Sequence, residues 1–97
     1  MSGAHISVDA DASTIYCEGA VDMAALPALR TAASRLDGSI CVDLRNATTI
    51  DDCAVGILLG LAERTRTAGA DLTTIAAGTV AERLRRLGVD TLVNLQE

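Results

Sequence analysis

The sequence predicts an α/β fold: a single domain, residues 1–97, with a mixed central β-sheet of four to five strands and helices packed on it. Hydrophobic periodicity alternates several times between strand-like and helix-like along the 97 residues. Glycines punctuate the ends of the periodic segments, at Gly19, Gly38, Gly69 and Gly88. The chain is 49% hydrophobic, which suffices for one small core.

Residues 5–8 read as a first strand, with Ile6 and Val8 on one face. A turn rich in Asp, Ala and Ser leads to a second strand at 14–18, ended by Gly19, and the two form a hairpin. Asp22 is an N-cap for the first helix, Pro27 lies near its first turn, and Leu26, Leu29, Ala33 and Leu36 recur at helical spacing until Gly38. Residues 39–44 form a third, central strand in which Ile40, Val42 and Leu44 alternate with Cys41 and Asp43. After a loop at 45–51, a second helix spans 52–68. Its first half is apolar nearly all round, which marks a central helix. Its Gly56 and Gly60 are expected to let it pack closely on the sheet. Residues 71–76 form a fourth strand. Gly78 and Thr79 open a third helix, with Val80, Leu84 and Leu87 inward and Arg83, Arg85 and Arg86 on a solvated face; Gly88 stops it. Residues 89–95 form a tail that docks as an extended segment or a helical turn. The order is β-β-α-β-α-β-α plus a C-terminal tail.

Composition narrows the functions. The sequence has no Trp, no Phe and one Tyr, Tyr16, so the core is aliphatic. All eight basic residues are Arg, and the net charge is −5. Nucleic-acid binding is excluded, because phosphate neutralisation needs a basic face and base stacking needs aromatics. The longest nearly apolar run, residues 54–62, is too short to enter a membrane as a span. Residues 1–5 lack the basic and apolar regions of a leader. Cys17, Cys41 and Cys53 form an odd set without a C-x-x-C pair and read as free thiols, Cys17 and Cys41 as buried small hydrophobes. A cytoplasmic location follows as the expectation. One histidine, His5, remote from the cysteines, supplies neither a zinc site nor a Ser/His/Asp set, and no glycine loop is built to cradle phosphate. The expectation is a protein that is not an enzyme and carries no metal or cofactor.

Three stretches resemble the STAS domain, the fold of bacterial anti-anti-sigma factors. Glu18-Gly19-Ala20-Val21-Asp22 is similar to that family's Gly-x-apolar-Asp entry into the first helix. Residues 41–51 are similar to its strand and loop leading down to a regulatory Asp. Residues 80–92 are similar to its third helix, with a Leu-x-x-x-Gly ending at Leu84 and Gly88. The resemblance covers almost the whole chain. It implies a regulator of transcription that binds a cytosolic, kinase-like anti-sigma factor through the start of the second helix. In that family an Asp-Ser-Ser-Gly segment stands there, and its second Ser accepts phosphate from the partner. Here the matching residues are Asp51-Asp52-Cys53-Ala54. The resemblance therefore implies a partner surface of Asp22, Asp51, Asp52, Cys53 and Ala54, with Cys53 at the phosphorylation position.

Cys53 is not a substrate for an ordinary Ser/Thr kinase, so phosphorylation control at that position is expected to be lost. Asp52 places a permanent charge beside it, smaller than the roughly −1.5 to −2 of a phosphate. A redox role for Cys53 is opposed by its two acidic neighbours, whose repulsion offsets the help a helix N-terminus gives a thiolate. Thr48 and Thr49 are hydroxyls near the switch and read mainly as turn formers. Asp22 and Asp51 read equally as helix caps and as an acidic patch, with Asp43 as a strand-end carboxylate near it. Two alternatives stand beside the anti-sigma partner. The resemblance also covers accessory subunits of ABC-type lipid transporters, whose partner is the transporter ATPase. The aliphatic core admits a small-ligand-binding domain. A monomer or weak dimer is expected.

Overall fold

A computed structural model describes residues 3–97. Met1 and Ser2, which begin the stretch read for a leader, lie outside the described residues. The chain forms strands β1 (His5–Asp9) and β2 (Thr14–Val21), a 3-10 turn (Met23–Ala25), helix α1 (Leu26–Ser34), β3 (Ile40–Ile50), α2 (Asp52–Thr67), β4 (Leu72–Ile75), α3 (Gly78–Arg86) and β5 (Leu95–Gln96). The five strands make one mixed sheet in the order β1-β2-β3-β4-β5. The β1–β2 hairpin is antiparallel, and every later neighbour is parallel. A parallel neighbour requires a crossover, and α1, α2 and α3 supply the three that are needed. The α/β class and element order follow the expectation; the tail adds the fifth strand.

The pleat sorts side chains onto two faces. Ile6, Val8, Ile15, Cys17, Val42, Leu44, Leu72 and Thr74 share one face through the strand register. Leu29, Ala32 and Ala33 of α1, Val55, Leu58 and Leu61 of α2, and Val80, Ala81 and Leu84 of α3 are buried with them in one core. On the other face Tyr16, Cys41, Thr73 and Ile75 remain exposed or half-buried. Cys17 is buried as expected, whereas Cys41 is only half-buried because it points to this second face.

Several boundaries shift for physical reasons. The residues read as a loop after Leu44 continue β3 to Ile50, because the end of β2 needs a partner for its own backbone groups. In the paired stretch β3 spends residues 41–50 against residues 14–21 of β2, with register shifts after Tyr16 and after Gly19. These are β-bulges, which add a residue to one strand and re-aim side chains. Gly19 does not end β2. It sits within the strand at φ +81°, and a Cβ there would stand 2.6 Å from the Gly3 carbonyl oxygen, so only glycine fits. Asp22 caps the 3-10 turn rather than α1, and Pro27 lies in the first turn of α1.

Two packing expectations are corrected. Gly56 and Gly60 do not press α2 onto the sheet: both are exposed, and a methyl group at either would meet nothing within 4 Å. The sheet is met instead by Ala54, Val55, Leu58 and Leu61. Leu87 is 43% exposed rather than inward, since α3 ends at Arg86, and Ala81 takes the inward place. In the tail Val93 is fully buried and Leu92 points outward.

Candidate functional site

The residues singled out by sequence meet where β2, β3 and α2 join. Val21 and Ile50 are register partners, both buried. Just beyond them the Asp51 N–H donates to the Val21 carbonyl oxygen at 3.0 Å. The two strand ends are thus tied together, and Asp22 and Asp51 leave the sheet side by side. The Asp22 carboxylate accepts the Ala24 N–H at 3.1 Å, which fixes the turn into α1. Asp51 holds the N-cap position of α2 in an extended conformation, and its carbonyl accepts the Val55 N–H at 3.0 Å. Its carboxylate, however, makes no cap hydrogen bond and is exposed. Of the two expected caps, only Asp22 uses its side chain as one.

Asp52 and Cys53 open α2. Asp52 is exposed in the first turn, where the positive end of the helix favours a carboxylate. Cys53 is half-buried and free. Ala54 is fully buried in the core, so it offers nothing to a partner, contrary to expectation. It can only support the residues before it from beneath.

Arg83 joins the site unannounced. Its guanidinium pairs with the Asp52 carboxylate, linking α3 to the start of α2. Nothing in the local sequence signals this contact, since the two residues lie 31 positions apart. The three arginines of α3 are thus not a purely solvated face. Arg83 pairs with Asp52, Arg85 with Glu97, and Arg86 lies 3.7 Å from Glu82. Such exposed pairs contribute little to stability, yet they offset part of the negative charge at the site. Beside the pair runs a groove of about 460 Å³ between the end of β3 and α3. It is lined by Thr48, Thr49, Asp51, Thr79, Arg83 and Leu87, among others.

Asp43 is not part of this acidic cluster. It lies mid-strand on the uncovered face, opposite Tyr16. Its carboxylate accepts the Arg45 backbone N–H at 3.0 Å and both the Nε and Nη2 of the same arginine, the last at 2.7 Å. Hydrogen bonding from Arg45 holds its carboxyl below the usual range, against the opposing effect of burial. Burial, reinforced by the charge of Asp43, pushes the Cys17 thiol up to about 12 and raises Cys41 as well.

The arrangement suits recognition. Carboxylates, a cation, hydroxyls and a half-buried thiol line an accessible corner, and the backbone beneath them is pinned by strand pairing and by the helix start. Among the described residues no group of three or more His, Cys, Asp or Glu side chains converges as a metal site. No helix among them is long and apolar enough to cross a membrane. No protein-family model matches the chain, and a search of curated proteins finds no match either.

Proposed function

We propose that the chain is an anti-anti-sigma-type regulator of the STAS kind. It binds a kinase-like anti-sigma factor in the cytoplasm, using Asp22, the end of β3, and Asp51, Asp52 and Cys53. The observation that carries this reading is the meeting of Asp22 with the Asp51–Cys53 segment at the tied ends of β2 and β3. These are the positions that the sequence resemblance assigns to the partner surface. The reading is of a binding protein and not an enzyme. Control is not exerted by phosphate at position 53, since a thiol stands where the acceptor hydroxyl is needed.

The test uses a kinase-like anti-sigma factor from the same host. Direct titration should give a complex that Asp22→Ala with Asp51→Ala weakens at least tenfold while the far-UV spectrum is unchanged. Unaltered affinity in that double variant would remove the proposed surface. With ATP, the wild-type chain should gain no phosphate at Cys53, whereas Asp52→Ser with Cys53→Ser should gain one. The absent acceptor also favours a second reading, an accessory subunit of an ABC-type lipid transporter, which needs no phosphate switch. Affinity capture that recovers a transporter ATPase in place of an anti-sigma factor would select it.

A further inference from the structure

The two edges of the sheet are protected very differently. An edge strand presents a row of unpaired N–H and C=O groups, and proteins blunt it with shortness, proline, lysine or a bulge. β5 follows that practice: it is two residues long and is followed by the charged Glu97. β1 is less protected. It has five residues, His5-Ile6-Ser7-Val8-Asp9, with no proline and with its one carboxylate, Asp9, at its last position, and its register with β2 runs unbroken. Among the described residues it pairs with β2 alone. Beside its free edge lies a groove of about 420 Å³, formed by Ile6 and Val8 with Pro27, Ala28 and Thr31 of α1 and with Arg35 at the end of that helix.

We propose that this edge is an interface for a second copy of the chain, joined β1 to β1 in antiparallel fashion about Ser7. The strand is complementary to itself in that register. His5 of each copy falls opposite Asp9 of the other, so that imidazole and carboxylate meet twice on the uncovered face. Ile6 falls opposite Val8 twice on the helix-covered face, where the α1 grooves receive them. Ser7 faces Ser7 on the dyad. His5 and Asp9 are exposed, and Ile6 and Val8 are only half-buried in the single chain; the Asp9 Oδ1 accepts the Asp11 and Ala12 N–H groups of the turn at 3.1 and 3.2 Å, which leaves Oδ2 for the interface. Cross-strand pairs of this kind, a polar donor–acceptor pair and an aliphatic pair, favour one register over its neighbours. The two sheets become one, and both edges left over are the short, blunted β5. This assembly does not depend on the partner proposed above.

The full chain tests it by analytical ultracentrifugation. The expected result is a concentration-dependent species of twice the chain mass, weakened at least tenfold by His5→Asp, which sets like charges opposite each other. A mass of one chain up to about millimolar concentration would overturn the proposal. Register is read by cross-linking, in a background carrying Cys41→Ser and Cys53→Ser. Residues opposite one another in an antiparallel pair have Cα atoms about 4.5–5.5 Å apart, within reach of a disulfide. Ser7→Cys should therefore cross-link two copies when a disulfide oxidant is added. His5→Cys should not, since its two copies stand roughly 13 Å apart in this register. A dimer that Ser7→Cys fails to cross-link uses another surface, and that result also overturns the proposal.

Discussion

The two faces of the sheet arise from the same strands, residue by alternate residue, yet they differ in almost every physical respect. Ile15, Val42 and Leu44 lie on one face, are at most 1% exposed, and are sealed by all three helices. Tyr16, Cys41, Asp43 and Arg45 lie on the other, outside that core, where a bidentate ion pair replaces packing. Cysteine shows the contrast most simply. Cys17 faces the helices, and its thiol is pushed up to about 12; Cys41, on the uncovered face, remains half-accessible. Strand sequence thus determines two environments at once, and the covered one holds the fold together.

That contrast can be broken at four points. Leu44→Ala opens a cavity in the covered face and should cost about 2–5 kcal/mol in chemical denaturation, whereas Tyr16→Ser on the other face should cost less than about 1 kcal/mol. Equal losses would mean that the second face is also structural. Thr74 is the anomaly of the covered face: it is fully buried, and its hydroxyl has no hydrogen-bond partner. Thr74→Val removes that unmet group at nearly constant shape and should stabilise the chain by about 1 kcal/mol in the same assay.

On the uncovered face, the lowered carboxyl of Asp43 makes a pH-dependent contribution. Its folded value lies below its unfolded one, so the stabilisation is complete above the unfolded value and is lost as pH falls through the folded value. Stability curves of the wild type and Asp43→Asn should therefore stand apart at neutral pH and converge in acid; a constant gap would assign the effect to shape alone. The fourth point leaves stability untouched. Iodoacetamide at pH 8 should modify Cys41 before Cys17, which should react only on unfolding, as peptide mass spectrometry would report. Early labelling of Cys17 would mean that the helix layer opens readily.

One side of this contrast was legible in the sequence; the uncovered face was not, since Cys41 read as buried. Alternation in Ile40, Val42 and Leu44 marked the covered face, and the helical recurrence of Leu29 and Ala33 marked the layer above it. The far half of β3 was not legible, because Asn46-Ala47-Thr48-Thr49 has no apolar alternation and is held in the sheet by the register of β2. The glycines of α2 misled for a related reason: close spacing of small residues says that something can approach, without saying from which side. At the candidate site, Asp22, Asp51, Asp52 and Cys53 were found through a resemblance of short motifs, and the structure brings them to one corner. Arg83 was invisible there, since its pairing with Asp52 belongs to tertiary structure. Ala54 was misplaced because adjacency in a motif is not adjacency at a surface: consecutive helix residues point about 100° apart, and that turn carries Ala54 into the core.

The strand order, which repeats the order of the chain, has a consequence for how the molecule is made. Each parallel strand docks against the one synthesised just before it, so no strand must be inserted between two that are already paired. A chain emerging from the ribosome can therefore extend its sheet outward, one strand and its crossover helix at a time, beginning from the β1–β2 hairpin.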